Sequence, residues 1–300
     1  MVVKIAAEAD LQSIQGSSSM DQKIINLFDG FTHGGMSRRE FMDKLATLVG
    51  STSAAMAILP VLENNYAKAD ILPEGDARIE TATIYWSSGS GYHVRPKAEG
   101  KYASVMIIHE NRGLNPHIKD IARRLAVEGF MVLAPDYLAV FGGTPPDPDK
   151  ARELIDKLTP EQILAFSKEA LEVAKFYEQA NGKAGAVGFC WGGGAVNALA
   201  VASDRLSAGV AYYGQQPKDA DVPKITAPLL LHYAALDERI SSGAPAFEAA
   251  LKANGKTYEL YKYEGVNHAF NNDTNAARYN KDAADLAWGR TVAFLKKYTA

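Results

Sequence analysis

A single cysteine in 300 residues excludes an internal disulfide and leaves no thiolate cluster for a structural metal. The six histidines are scattered without ligand spacing, so no metal and no other cofactor is expected. A net charge of −3, a pI near 6.1 and the lack of any basic stripe interleaved with aromatics argue against a nucleic-acid partner. There is no internal repeat and no long low-complexity tract. The moderately apolar run over 45–62 is broken by polar residues and ends too close to Pro60 for a stable membrane span. What remains is ordinary globular usage, 47% apolar and 22% charged, on a chain long enough to bury a full core.

That one cysteine sits in a telling place. Gly188-Phe189-Cys190-Trp191-Gly192 falls where an apolar strand over 184–189 gives way to a helix of small residues. A strand that turns sharply into a helix strains the central residue and leaves no room for side chains two positions before and after it, so glycine is required there. The pattern is a nucleophile elbow with a thiol in place of the usual serine. A helix N-terminus at that point favours both a thiolate and the oxyanion formed when it attacks a carbonyl. Taken alone, a lone cysteine also reads as a small buried hydrophobe.

Two further residues follow in the order this chemistry needs. A buried strand over 228–233 leads into Ala234-Ala235-Leu236-Asp237, and an alternating strand over 257–263 runs into Glu264-Gly265-Val266-Asn267-His268. Cys190, Asp237 and His268 thus stand beyond the carboxyl ends of three strands, in the sequence nucleophile, acid, base. They are the expected catalytic triad, acting by acyl transfer through a thioester.

The rest of the pattern alternates strand and helix. Strands are expected over 82–86, 91–95, 104–109, 130–134 and 208–213. Asn115-Pro116 opens a helix to Glu128, and Thr159-Pro160-Glu161-Gln162 is a capping box. Ile163, Phe166, Ala170, Val173 and Tyr177 form the expected apolar face of the helix that follows. A last helix over about 275–297 carries Ala284, Trp288, Val292 and Leu295 on one side, and the turn-rich stretch 142–149 reads as a surface loop near the site entrance. The expected fold is α/β: a mostly parallel, doubly wound sheet flanked by helices, with the site at the carboxyl edge of the sheet.

From about Ala82 to Ala300 the chain resembles the dienelactone hydrolase family of α/β-hydrolases, on its G-F-C-W-G-G elbow, its Asp237 and His268 loops, and the segment Ile107-Ile108-His109-Glu110-Asn111-Arg112-Gly113-Leu114. The resemblance implies that Glu110 lies beside the thiol in the resting state and that the backbone N–H groups of Asn111 and Trp191 form the oxyanion hole. A strand-end acid in water is the plainer reading of Glu110. The resemblance also implies a small-molecule ester or lactone substrate. Two arginines that grip carboxylated dienelactones in the family are missing: none stands after Ala134-Pro135-Asp136, and Asn272 stands four residues past His268. Neutral or differently shaped esters, rather than dienelactone itself, therefore become the expected substrates. Arg112 either replaces the lost clamp or pairs with a nearby acid, and Tyr137 and Phe141 either line an aromatic pocket or pack in the core. A general carboxylesterase or thioesterase, and a non-catalytic binding protein on the same fold, are the alternatives.

Residues 1–70 form an extension to the hydrolase domain at 71–300. Ser37-Arg38-Arg39-Glu40-Phe41-Met42, the apolar run after it and Ala67-Lys68-Ala69 occur in the order of a twin-arginine signal cleaved before Asp70, which implies a periplasmic or secreted protein. The arginines follow a 36-residue leader with its own amphipathic segment over 21–31, long for a targeting region. The alternative is a cytoplasmic protein whose retained helical arm packs on the hydrolase domain or joins copies into a homo-oligomer.

Overall fold

The computed structural model describes residues 20–69 and 71–300. The first nineteen residues of the extension and Asp70, the expected cleavage point, lie outside the described residues.

Among the described residues eight strands form one sheet: β1 Ile79–Trp86, β2 Gly89–Pro96, β3 Tyr102–Ile108, β4 Met131–Pro135, β5 Ala180–Phe189, β6 Ala208–Tyr212, β7 Leu229–Ala234 and β8 Tyr258–Tyr263. Their spatial order is β1-β2-β4-β3-β5-β6-β7-β8. The β1–β2 and β2–β4 pairs are antiparallel, and every other pair is parallel. The central strands are buried along their length, as continuous apolar runs in a sheet covered on both faces should be. Register aligns their carboxyl ends. Ile108 pairs with Gly188, Phe189 with Tyr212, Tyr212 with His232 and Ala234 with Tyr263, so the loops after β3, β5, β7 and β8 emerge at one edge.

Among the described residues ten α-helices accompany the sheet: α1 Gln22–His33, α2 Arg38–Val49, α3 Thr52–Leu62, α4 Pro116–Val127, α5 Pro148–Ile155, α6 Pro160–Lys175, α7 Trp191–Ala202, α8 Glu238–Ser241, α9 Ala244–Ala253 and α10 Lys281–Thr299. Ile118, Ile121 and Leu125 of α4 join Val292 and Leu295 of α10 in one core, and Leu171 of α6, Val196 and Leu199 of α7 and Phe247 and Leu251 of α9 form another. The two cores cover opposite faces of the sheet, the doubly wound arrangement. Asn115 caps α4, accepting at its side chain from Ile118 N at 3.2 Å, with Pro116 in the first turn. Thr159 and Gln162 close their capping box from both sides, at 3.2 and 2.9 Å.

Three expectations shift. The buried face of α6 is Ser167, Ala170, Leu171 and Ala174, while Ile163, Phe166 and Val173 are half-buried and Tyr177 lies beyond the helix, stacked on His93. Ser167 can occupy a core position because its hydroxyl donates to Ile163 O at 2.7 Å and meets the Tyr137 hydroxyl at 2.7 Å. The last helix starts at Lys281, not near Asn275. Asn280 caps it from the side chain, and the Asn275 amide is used elsewhere, donating to Leu62 O and Asn64 Oδ1. The turn-rich stretch runs directly into α5, whose first turn is capped by Asp147.

The described part of the extension places its three α-helices over the carboxyl edge of the sheet. Ile24, Phe28, Phe31, Phe41, Leu45, Ala55 and Leu62 make a small core of their own. Polar contacts fasten it to the loops beneath: Asn65 N donates to Thr274 O at 2.7 Å, Asn111 Nδ2 to Thr32 O at 2.9 Å, and Arg38 pairs with both Glu63 and Asp149. Among the described residues no single helix is long and apolar enough to cross a membrane, and α2 and α3 meet at a bend of 110°.

Candidate active site

Cys190 stands between β5 and α7 with φ 58° and ψ −116°, a strained conformation for a side chain of its kind. The elbow glycines are needed sterically. A Cβ on Gly188 would lie 2.0 Å from Gly192 O, and one on Gly192 would lie 2.2 Å from Ile108 O. Three non-glycine residues have positive φ among the described residues: Cys190, Tyr213 and Ala269. All three border the same site. Tyr213 follows β6 and its ring lies 4.8 Å from that of His268, and Ala269 follows His268. Such strain persists only where the surroundings over-determine it.

The loops after β7 and β8 bring Asp237 and His268 together. His268 Nδ1 lies 2.5 Å from Asp237 Oδ2, with both side chains buried, and Arg239 Nη2 approaches the same ring nitrogen at 3.4 Å. His268 Nε2 has no hydrogen-bond partner among the described residues. The Cys190 sulfur meets a different imidazole: His33 Nε2, at the end of α1, lies 3.0 Å from Sγ. The two histidine rings stand 4.7 Å apart, edge to face. Donor atoms of His33, Cys190 and His268 all lie within 4.8 Å of one another, so two imidazoles and a thiolate could together hold a zinc-like ion. Histidines without ligand spacing along the chain thus converge in space.

His33 is held from behind by Asp29, one turn earlier on α1. Its Nδ1 lies 3.0 Å from Asp29 O and 3.2 Å from Asp29 Oδ1. Burial pushes the His33 pKa down, but the attraction a thiolate at Cys190 would exert and the bond to the Asp29 carboxylate outweigh it and raise the pKa overall. Burial likewise favours the neutral form of Asp29, yet His268, His33 and Arg278 hold its carboxyl below the ordinary range. Arg239 and Arg278 pair with the same carboxylate at 3.3 and 3.6 Å.

Glu110, just after β3, is 5% exposed and faces the cavity beside Cys190, so it is not a strand-end acid in water. Its Oε2 accepts from Asn272 Nδ2 at 2.9 Å. Asn272 is the residue that replaces the arginine four positions past the histidine. Its own Oδ1 accepts from the backbone and hydroxyl of Thr274, which fixes which end of the amide faces Glu110. Asn111 follows directly. Trp191 opens α7, so its backbone N–H belongs to the helix's unpaired first turn.

Arg112 is tied up: its Nη1 bonds Asp149 Oδ1 at 3.0 Å, and Asp149 also holds Arg38. Tyr137 is fully buried, hydrogen-bonded to Ser167 and edge-on to His109, Phe166 and Trp191. Phe141 is 43% exposed on a short 3₁₀ turn. Neither lines the two cavities that meet at Cys190. One cavity, about 550 Å³, includes the charged or polar Arg38, Glu63, Tyr66, Glu110 and Arg112; the other, about 590 Å³, includes Ile163, Leu164, Trp191, Ala195 and Tyr213. Thr32, His33, Asn111, Cys190 and His268 border both. His33 was not legible at this site, because its cue in the sequence is a one-turn Asp29/His33 spacing in a segment that also reads as a targeting leader.

Comparison with known proteins agrees with this architecture. Residues 90–299 match the dienelactone hydrolase family, and residues 15–50 match a family described as YqhI-like. A protein of Saccharolobus solfataricus named "Putative carboxymethylenebutenolidase" is 32% identical over 66% of this chain and 91% of its own length. One of the same name from Methylorubrum extorquens is 26% identical over 98% of both chains, so the likeness there extends through the helical arm. A crystal structure titled as a putative dienelactone hydrolase, from Klebsiella pneumoniae, superposes with a TM-score of 0.67 at 30% identity and covers 73% of this chain and 99% of that one. With the family match spanning more than two thirds of the residues and the sheet, elbow and strand-end loops in place, the chain belongs to the dienelactone hydrolase family of α/β-hydrolases.

Proposed function

We propose that the protein hydrolyses carboxylic esters and lactones through a thioester on Cys190, with His268 and Asp237 completing a triad. The observation that carries this reading is the strained Cys190 elbow facing the buried Asp237–His268 pair across one cavity. The sulfur attacks the carbonyl carbon, and the N–H groups of Asn111 and Trp191 stabilise the oxygen as it becomes negative. Asp237 fixes the His268 tautomer with the proton on Nδ1, which leaves Nε2 free to take a proton from the attacking water. Glu110, held by Asn272, lies beside the resting thiol. A thiolate is also a good leaving group, so esters with competent alcohols are favoured over amides.

The cavities support neutral substrates. Arg38 and Arg112 in the smaller cavity are paired with carboxylates, and Arg278 sits against Asp29. The larger cavity offers Ile163, Leu164 and Trp191 to an apolar group. The test is a hydrolysis screen of p-nitrophenyl esters and unsaturated lactones with wild type, Cys190→Ala and Cys190→Ser, scored against titratable thiol. Turnover that tracks Cys190 supports the reading, whereas full activity in Cys190→Ala removes the thiol from the mechanism.

A further inference from the structure

Thioester hydrolysis needs a proton removed twice, once from the thiol and once from water. A single histidine serves both steps in a simple triad. Here two acid–histidine pairs converge on one sulfur. Asp237–His268 comes from the loops after β7 and β8, and Asp29–His33 comes from α1 of the arm. They are not equivalent. His33 Nε2 is the imidazole nitrogen in contact with Sγ at 3.0 Å, while His268 Nε2 is buried with no hydrogen-bond partner among the described residues, and both residues border the same cavity. His33 Nδ1 faces the Asp29 carbonyl and carboxylate oxygens, which only accept, and the Thr32 hydroxyl at 3.0 Å, which donates to the same Asp29 carbonyl; the hydrogen therefore belongs on Nδ1 and the lone pair of Nε2 points at the S–H.

His33 is placed with some rigidity. Asn111 Nδ2 grips the neighbouring Thr32 carbonyl, the Arg152 guanidinium lies 4.6 Å over the Phe31 ring and bonds Phe31 O, and Arg239 and Arg278 brace Asp29. The segment also divides the space, since Thr32 and His33 border both cavities. A bulky side chain there would have been enough to separate them. An imidazole backed by a carboxylate and aimed at the nucleophile has a chemical use as well.

We propose that His33 is a second catalytic histidine: oriented by Asp29, it takes the thiol proton in acylation, and His268 with Asp237 serves the water step. The proposal rests on the thioester reading above. In acylation the Sγ proton moves to His33 Nε2, the thiolate adds to the carbonyl carbon, the ester C–O bond breaks, and that proton goes to the departing alkoxide. In deacylation His268 Nε2 takes a proton from water, hydroxide adds to the thioester carbonyl, the C–S bond breaks, and the proton on His268 returns to sulfur. Ester and water become acid and alcohol, and both imidazoles end neutral. Asp29 acts through His33 and is a positioning residue.

The experiment is stopped-flow hydrolysis of p-nitrophenyl acetate by the full chain, with intact mass of the acyl-enzyme and hydrogen exchange over residues 22–33. His33→Gln should slow the nitrophenolate burst by about a hundredfold or more, with the decay of preformed acetyl-enzyme unchanged. His268→Gln should keep the burst and stall afterwards, with one acetyl group on Cys190. Asp29→Asn should slow the burst by about tenfold while α1 stays protected from exchange. A His33→Gln burst within about threefold of wild type overturns the proposal. If His33→Gln undocks α1, Asp29→Asn decides, and an unchanged burst in that variant overturns the proposal equally. Acetylation of wild type anywhere but Cys190 would instead sink the thioester reading itself, which separates the two failures.

Discussion

The sharpest stability test of the elbow is Gly192→Ala. An alanine Cβ at this position would lie 2.2 Å from Ile108 O, 2.5 Å from His109 O and 2.7 Å from Ile108 C, against an ordinary contact of 3.4 Å or more. All three obstacles are backbone atoms. Ile108 cannot retreat without breaking its register with Gly188, and Gly192 cannot lift without carrying the first turn of α7 away from the sheet. Relief of roughly 1 Å must therefore come from separating β3 from α7, an overpacking cost of about 3 kcal/mol or more. At about 3 °C of melting temperature per kcal/mol for a domain of this size, the variant should melt roughly 9 °C or more below wild type. The same shift moves the Trp191 N–H. Loss of one oxyanion donor predicts a fall in kcat of about 10²-fold or more.

Gly194→Ala is the matched control, two residues along the same helix. Its Cβ would meet Gln215 Cβ at 3.4 Å, an ordinary contact, and alanine is the better helix former by up to about 1 kcal/mol. Scanning calorimetry of the three proteins with esterase assays at saturating ester gives the comparison. If Gly192→Ala melts within about 3 °C of wild type and retains its activity, the steric account of the elbow is wrong.

Asp237→Asn should lower kcat by about 10²–10⁴-fold with little change in KM, because the amide cannot hold the His268 tautomer; steady-state kinetics checks it. Asn272→Leu leaves the buried Glu110 Oε2 without its side-chain donor and should cost about 1–3 kcal/mol in thermal denaturation. Docking of the arm should depend on pH at both ends. Asp29 is held below its ordinary 3.8, so its contribution is present above that value and is lost as pH falls toward the folded one. The folded pKa of His33 is raised above 6.5, so its contribution is present below 6.5 and is lost as pH rises through the folded value. Hydrogen-exchange protection of α1, corrected for intrinsic rates, should therefore peak between about pH 4 and 6.5, and Asp29→Asn should flatten the acid side. Intact mass of protein from its native host should show residues 29–33 retained, since a mature start at Asp70 would remove the proposed base of the thiol.

What the sequence made legible was whatever depends on local pattern. The strands, the Asn115 and Thr159 caps and the elbow each follow from a few adjacent residues, and all stand where the pattern places them. Asp237 and His268 were legible for a related reason: strand ends in a parallel sheet share one edge, so their order along the chain is nearly a statement about space. The roles of Arg112, Tyr137 and Asn272 depended instead on which distant partner each found, Asp149, Ser167 and Glu110 respectively. The arm is the hardest case, because the same letters satisfy two demands. Ser37-Arg38-Arg39-Glu40-Phe41 reads as an export pattern in the sequence, and in the structure it is a helix start in which Ser37 caps the first turn, Arg38 pairs with Glu63 and Asp149, and Phe41 and Leu45 form one buried face. Periodicity is equally satisfied by a helix that ends in solvent and by one that ends on a thiol. What distinguishes them is the fit of Asp29 and His33 to groups more than 150 residues away, and a fit of that kind is a property of the folded surface rather than of any segment.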